Sequence, residues 1–246
     1  MKKLLITIII LIVLSLPFAL AKIYDIYAEV PLDTSLPFDD LMYPVMEDGG
    51  RRQKLNDNRE PLYSYNSCLN EILKAMKITI DKEGTKLISG YPDEPGKFKP
   101  DAYVTKGEFI KMAIGLSVDR EFDFSIISSG HINHWAAPYV AVAEMQNVVN
   151  RGEYNEENLN DPITRLEMIV ILSKIQINMK GIPQYKEGTL PNYTDIDTLS
   201  EEEKGYLLHA AKYELIQGML DPGFTEIKPF SNLTRAEAAR AIVRVY

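Results

Sequence analysis

Three stretches of the chain carry apolar residues at helical spacing directly after a Thr-basic-x-Glu tetrapeptide. The tetrapeptides begin at Thr105, Thr164 and Thr234, so the copies are 59 and 70 residues apart. Positions +4, +5, +8 and +11 from each threonine are apolar in every copy and lie on one face of a helix. The three stripes are Phe109, Ile110, Ala113 and Leu116; Met168, Ile169, Leu172 and Ile175; and Ala238, Ala239, Ile242 and Val245. The pattern predicts three helices with one buried face each.

Each tetrapeptide is also a capping box, which defines the first residue of its helix. The threonine hydroxyl accepts a hydrogen bond from the N–H of the glutamate, and the glutamate side chain accepts one from the threonine N–H. One such box is a weak signal. Three boxes with the same stripe behind them indicate an internal repeat.

A second helix is predicted upstream of each box, and a turn-rich loop joins the two. The upstream helices are Ser67 to Lys77, Trp135 to Met145 and Ser200 to Ile216, the last with a further capping box. One helix-loop-helix unit cannot cover both apolar faces, so the three units are expected to pack around shared helices. Pro183 to Pro191 is predicted to be a loop between the second and third units.

The first 21 residues have the pattern of a secretory signal peptide. Two lysines precede an apolar run from Leu4 to Leu16, and a small-residue ending closes at Ala21. The run is shorter than the roughly 20 residues that a membrane-spanning helix needs, which favours cleavage over an anchor. Residues 22–59 are rich in turn residues and are interpreted as an N-terminal arm or linker. We therefore expect a secreted protein without a membrane segment after cleavage.

Composition narrows the classes of function. The formal net charge is −8, and 25 basic against 35 acidic residues would remain after removal of Lys2 and Lys3. This acidic balance without a basic block argues against nucleic-acid binding. The single Cys68 excludes an internal disulfide and a cysteine-rich zinc site, and a buried thiol is expected. His131 and His134 have no third histidine nearby in the sequence and are interpreted as structural or surface groups.

Catalytic signatures are missing from the sequence. It contains no nucleophile elbow, phosphate loop or metalloprotease helix motif. We accordingly predict a non-enzyme with no catalytic residue, metal ion or cofactor. The acidic run Glu201 to Glu203 falls in the first turn of a helix, where negative charge is favourable, and is explained as a solvated face.

The repeat resembles the S-layer homology (SLH) repeat of bacterial cell-surface proteins. The third unit carries the resemblance through Tyr193-Thr-Asp195-Ile196, Leu215-Ile216-Gln217-Gly218 and Leu233-Thr-Arg-Ala-Glu237. The second agrees through His134-Trp135-Ala136 and Ile163-Thr-Arg-Leu-Glu167, and the first through Gly90-Tyr91-Pro92-Asp93, Phe98-Lys-Pro100 and Thr105-Lys-Gly-Glu108. The resemblance implies an all-α pseudo-threefold bundle of three SLH repeats. Their ranges would be 60–118, which is divergent, 119–180 and 193–246.

The same resemblance implies a function at the cell wall. SLH repeats bind non-covalently to an anionic secondary polysaccharide attached to peptidoglycan, often one that carries pyruvate ketals, which places the protein at the cell wall or S-layer. The residues carried over as glycan-binding are Arg235, Asp195 and Gly218 in unit three, Arg165 and Asn150 in unit two, and Lys106 and Gly90 in unit one. Asn150 stands near the expected glycine and could adopt its left-handed backbone. Unit two lacks the aspartate, and unit one has lysine in place of arginine.

The chemistry of a helix start is compatible with this role. Exposed N–H groups beside a guanidinium would form a receptor for a carboxylate or phosphate, and Lys106 would form the weakest of the three sites. The alternative is that each base pairs with a neighbouring acid and only fixes the bundle. Periodicity does not separate the two readings, and the resemblance favours binding. Trp135 could stack on a sugar, although general burial of tryptophan favours a core position.

Other classes of function remain open at this point. The departures in units one and two favour an envelope structural module that has lost glycan binding and binds a separate surface protein. An enzyme would rest only on unassigned carboxylates.

Overall fold

The protein is represented by a computed structural model that describes residues 54–55, 61–62, 75, 78, 86–88, 90–91, 93–94, 97–119, 121–127, 132–216 and 225–245. The predicted signal peptide, Cys68, His131 and Gly218 lie outside these residues, as does most of residues 22–59. Of the predicted helix from Ser67 to Lys77, only Ala75 is described, and it is helical and buried.

Five α-helices lie within the described residues, in agreement with the predicted all-α class. They are α1 (Lys106–Ser117), α2 (Ala137–Met145), α3 (Arg165–Lys174), α4 (Glu201–Lys212) and α5 (Arg235–Val245). A π-helical turn, Ile175–Met179, extends α3, and a 3-10 turn, Phe124–Ile126, precedes α2. Two short strands, β1 (Lys54–Leu55) and β2 (Pro61–Leu62), pair antiparallel with Lys54 opposite Leu62.

The predicted capping boxes are confirmed at the starts of α1, α3 and α4. The side chains of Thr105, Thr164 and Ser200 each accept a hydrogen bond from the backbone N–H of the glutamate three residues later. The side chain of that glutamate in turn accepts from the backbone N–H of the threonine or serine. The same reciprocal pair starts α5, where Thr234 N donates to Glu237 Oε2 over 2.9 Å and Glu237 N donates to the Thr234 hydroxyl over 3.3 Å. Local side-chain chemistry therefore sets the first residue of four helices.

The apolar stripes form the core. Every stripe position is buried except Leu116, which is partly exposed. Helix α1 packs against α2, and α3 packs against α4, while α1 also contacts α3 and α5. The two tightest pairs therefore join the second helix of one predicted unit to the first helix of the next, as expected for units that cannot cover their own apolar faces.

The ends of α2 and α4 correct two expectations. Both helices end in a Schellman turn whose left-handed residue is Asn147 (φ 55°) or Glu214 (φ 53°). The Val148 N–H reaches back to the Ala143 carbonyl over 2.8 Å, and the corresponding bond in α4 is 3.0 Å long. The helix predicted to reach Ile216 consequently ends at Lys212, because a left-handed residue terminates it. The left-handed asparagine is Asn147, so the expectation for Asn150 is wrong.

A buried histidine joins α4 to the π-helical turn that extends α3. His209 is fully buried on α4, where its Nδ1 accepts from the Tyr185 N–H over 3.1 Å. Its Nε2 therefore carries the proton and donates to Gln176 Oε1, 3.1 Å away. Burial lowers the pKa of His209, which keeps the ring neutral.

Candidate functional site

The three segments that lead into α1, α3 and α5 are joined to one another by backbone hydrogen bonds. Val104 N donates to the Leu233 carbonyl, Leu233 N to the Ile163 carbonyl, and Ile163 N to the Val104 carbonyl, over 3.0, 2.9 and 3.0 Å. These three bonds close a ring. Each predicted unit therefore contacts both of the others at the point where its Thr-basic-x-Glu helix begins.

The first two N–H groups of each of these helices donate to the loop of another unit. The first-residue bonds are Lys106 N to Asp161 O, Arg165 N to Ser231 O and Arg235 N to Ala102 O, each 2.9 Å long. The second-residue bonds are Gly107 N to Leu159 O, Leu166 N to Pro229 O and Ala236 N to Pro100 O, at 2.9, 2.9 and 3.1 Å. Donors that would lack a partner in an isolated helix are thus satisfied by neighbouring carbonyls. The expectation that these amides form an exposed anion receptor is wrong.

The basic residue of each tetrapeptide pairs with the capping-box glutamate of the next unit around the ring. The ion pairs are Lys106 to Glu167 at 3.0 Å, Arg165 to Glu237 at 3.2 Å and Arg235 to Glu108 at 3.0 Å. In every pair the base contacts Oε1, while Oε2 accepts from the N–H of the glutamate's own N-cap threonine. The pairing that the sequence left as an alternative therefore occurs at all three positions.

The three bases differ in exposure. The Arg235 side chain is 9% exposed, against 18% for Lys106 and 19% for Arg165. Arg235 Nε also donates to the Phe98 carbonyl over 3.0 Å, and its guanidinium lies 4.7 Å from the centre of the Tyr91 ring. Lys106 and Arg165 are therefore the more accessible bases.

Asp195 and Gly90 belong to the non-helical segments of units three and one. Asp195 accepts from the N–H groups of Ile227 and Lys228 through its two oxygens, at 3.0 and 2.6 Å, so its carboxylate holds the loop that leads to α5. Gly90 is partly buried next to Tyr91. Both oxygens of Asp195 thus already have backbone partners.

Trp135 lies at the surface. Its side chain is 54% exposed, so the core position favoured for it is wrong. The ring centroid lies 5.2 Å from that of His134. His134 accepts from the Ala136 N–H at Nδ1 and contacts Asn160 Oδ1 at Nε2, which agrees with its structural interpretation. Trp135 remains exposed before the first turn of α2.

A cleft of about 280 Å³ lies between the loop after α2, helix α3 and the first turns of α4. We call it the α3–α4 cleft. Its lining includes Asn150, Tyr154, Glu167, Lys174, Glu202 and Tyr206. Of these, the sequence singled out Asn150 as a binding residue. Tyr154 and Tyr206 were missed because a tyrosine in a loop or on a helix carries no spacing signal of its own.

Comparison with known proteins finds one family match and one relative. Residues 84–110, which include the predicted loop from Gly90 to Pro100 and the first residues of α1, match the family described as the S-layer homology domain. A Bacillus anthracis protein named as an uncharacterized cell wall amidase is 26% identical over 166 residues. That similarity covers 65% of this chain and 28% of the relative, so the chain spans less than a third of the relative's length.

Two features are absent from the described residues. None of their helices is long and apolar enough to cross a membrane. No group of three or more of their histidine, cysteine, aspartate and glutamate side chains is arranged to hold a metal ion.

Proposed function

We propose that the protein is a non-catalytic cell-wall anchoring module built from three SLH units around a pseudo-threefold axis. The match of residues 84–110 to the S-layer homology family carries this proposal and indicates an association with the cell wall or cell surface. The cell-wall name of the Bacillus anthracis relative supports the same location. The expected ligand is a secondary polysaccharide attached to peptidoglycan, carrying anionic groups such as pyruvate ketals.

The repeated contacts support three units rather than one. The family match covers the loop and helix start of unit one, and Thr105 stands at their junction. The backbone bonds and the ion pair made there recur at Thr164 and Thr234. Because the backbone hydrogen bonds between the units form a closed ring, the three junctions are equivalent parts of one assembly.

The accessible bases are the proposed contacts for the anionic groups. Lys106 and Arg165 are each about one-fifth exposed, and Arg165 can hold a carboxylate through two parallel hydrogen bonds. Trp135 supplies an exposed ring against which a sugar could pack. In this proposal Arg235 and Asp195 mainly stabilise the fold, because their polar groups already have protein partners.

The ion pairs also favour a second candidate. All three tetrapeptide bases form an ion pair with a glutamate of the same chain. An envelope module that binds another protein instead of a glycan would have the same ion pairs. In that case wall polysaccharide would play no part in retention.

Co-sedimentation with purified cell-wall sacculi of the producing organism tests the proposal. The full chain is expected to pellet with untreated sacculi and to stay in the supernatant after chemical extraction of the secondary polymer. Binding to extracted sacculi would indicate peptidoglycan itself as the ligand. Failure to bind untreated sacculi would contradict wall anchoring and favour the protein-interaction module.

A matched pair of variants separates ligand contact from ion pairing. Arg165→Gln and Glu237→Gln both remove the same ion pair, and glutamine can still serve in a capping box. If Arg165 contacts the polymer, R165Q should lose about tenfold in affinity, as expected for a charge-assisted contact, while E237Q keeps its affinity. Equal affinities for the two variants would assign Arg165 to pairing alone.

The same incubation tests the non-catalytic assignment. Cleavage of wall amide bonds would release new amino groups, and these can be measured in the supernatant. None is expected above the level of sacculi alone. A time-dependent release that requires the protein would identify it as an enzyme.

A further inference from the structure

The loop that joins units two and three is tied to the helices by very few polar contacts. Among the described residues, residues 183–190 make one hydrogen bond, which the Tyr185 N–H donates to His209 Nδ1 over 3.1 Å. Lys186 and Glu187, which follow in the loop, are exposed. We propose that the contact between Tyr185 and His209 is a pH-sensitive latch, and that protonation of His209 releases this loop from α4.

The hydrogen bonds of the His209 ring determine which contact a proton breaks. Nδ1 accepts from the Tyr185 N–H, and Nε2 donates to Gln176 Oε1 over 3.1 Å. A protonated imidazole has two N–H donors and no acceptor. The Nδ1 proton would then face the Tyr185 N–H, whereas the bond to Gln176 would persist. Protonation therefore acts on the loop and not on the π-helical turn.

The groups of α4 and of the loop that face the ring do not compensate a positive charge. His209 is fully buried, and the centroid of its ring lies 4.6 Å from that of Tyr213. The Lys212 ammonium lies 5.2 Å from the centre of the Tyr185 ring. Two neutral phenols and one cation therefore surround the histidine on this side.

Helix α3 and its π-helical turn add no acid either. Their titratable groups nearby are Lys174, whose ammonium lies 5.5 Å from the centre of the Tyr206 ring, and Lys180, which donates to the Val245 carbonyl. No carboxylate among the described residues contributes to the pKa of His209, which burial alone lowers. A charge on the buried ring would therefore lack a counter-ion.

The direction of the pH effect follows from this burial. The pKa of His209 in the latched protein lies below its ordinary value of 6.5, whereas a ring uncovered by the loop would titrate near about 6.5. The released state therefore binds the proton more tightly. Below about pH 6.5, each pH unit shifts the equilibrium by up to about tenfold towards release, until the buried ring is itself protonated. The latch is closed at neutral pH and weakened in acid.

Release of the loop leaves the main interfaces of the fold in place. The ring of bonds among Val104, Ile163 and Leu233 uses no residue of the loop, and α3 packs directly against α4. Acid is therefore expected to open this one segment without unfolding the three units. The inference is independent of the proposed binding to the cell wall.

Nuclear magnetic resonance of the full chain, labelled with nitrogen-15, tests the latch between pH 7.5 and 5.0. Ring nitrogen shifts report the protonation of His209, and amide hydrogen exchange reports the state of the loop. The protection factor of the Tyr185 amide is expected to fall about tenfold in acid. The Ile182 amide is the internal control, because it donates to the Gln176 carbonyl, which does not titrate, over 2.9 Å. Its protection should stay within twofold.

A matched pair of variants assigns the effect to one histidine. In His209→Asn, an amide oxygen can accept from the Tyr185 N–H without titrating, so the protection of Tyr185 should no longer depend on pH. His134→Asn is the control, because His134 Nδ1 likewise accepts a backbone N–H, from Ala136, at another place in the fold. The acid effect at Tyr185 should persist in this variant.

Four results would overturn the inference. These are unchanged protection of Tyr185 while His209 becomes protonated, an equal loss at Ile182, an acid effect that persists in H209N, or one that disappears in H134N. An equal loss at Ile182 would indicate general unfolding in acid rather than release of the loop. If H209N does not fold, the comparison of Tyr185 with Ile182 in the wild type still decides the matter.

Discussion

Each capping-box glutamate serves two contacts at once. In Glu108, Oε2 accepts from the N–H of Thr105, and Oε1 accepts from the guanidinium of Arg235 in another unit. Glu167 and Glu237 do the same for their own threonines and for Lys106 and Arg165. The residue that starts a helix therefore also fixes that helix to its neighbour, which joins local structure to tertiary packing.

Burial predicts which of these pairs matters most for stability. Arg235→Gln leaves the Phe98 carbonyl and Glu108 without their charged partner in a largely buried place, and should lower the free energy of unfolding by about 3 kcal/mol. Lys106→Gln removes a more exposed pair and should cost under about 1 kcal/mol. Urea unfolding of both variants measures the difference. Similar losses would mean that the guanidinium of Arg235 is as hydrated as the Lys106 ammonium.

At the scale of the element, α4 ends on an unfavourable residue. Glu214 occupies the left-handed position of a Schellman turn, where the side chain of an L-residue is strained and glycine is usual. Glu214→Gly should therefore raise the free energy of unfolding by about 1 kcal/mol. Lys212→Gly, in the last turn of the same helix, should lower it by about 1 kcal/mol. Thermal unfolding compares the two. Destabilisation by both would show that the left-handed turn at Glu214 does not persist in solution.

The same elements show what the sequence can predict. The starts of α1, α3, α4 and α5 were predictable because a capping box is formed by residues three apart. The end of α4 was not, because Tyr213 and Glu214 carry no glycine or proline signal. The exposure of Trp135 also escaped prediction, since it depends on the packing of elements distant in the sequence.

Across the whole molecule, the repeat was predictable but its contacts were not. Periodicity identifies three equivalent helices, yet it cannot say whether Arg165 faces solvent or Glu237, which is 72 residues away. The α3–α4 cleft likewise joins Tyr154 to Tyr206 through tertiary packing alone. Candidate bases are therefore visible in the sequence, whereas their partners and the surrounding charge become visible only in the fold.

The closed ring of backbone bonds makes a prediction about cooperativity. If the three junctions stabilise one another, the amides of Val104, Ile163 and Leu233 should exchange with solvent hydrogen only on global unfolding, with equal protection. Arg235→Gln should then lower all three protections by the same amount, although Ile163 does not contact unit three through its own N–H. The exposed bond of the Gly152 amide opens locally and should be unaffected. Native-state hydrogen exchange measures all four amides in one experiment. Retained protection at Ile163 in R235Q would mean that the units unfold one at a time, as in an open array of repeats, and that the ring does not couple them.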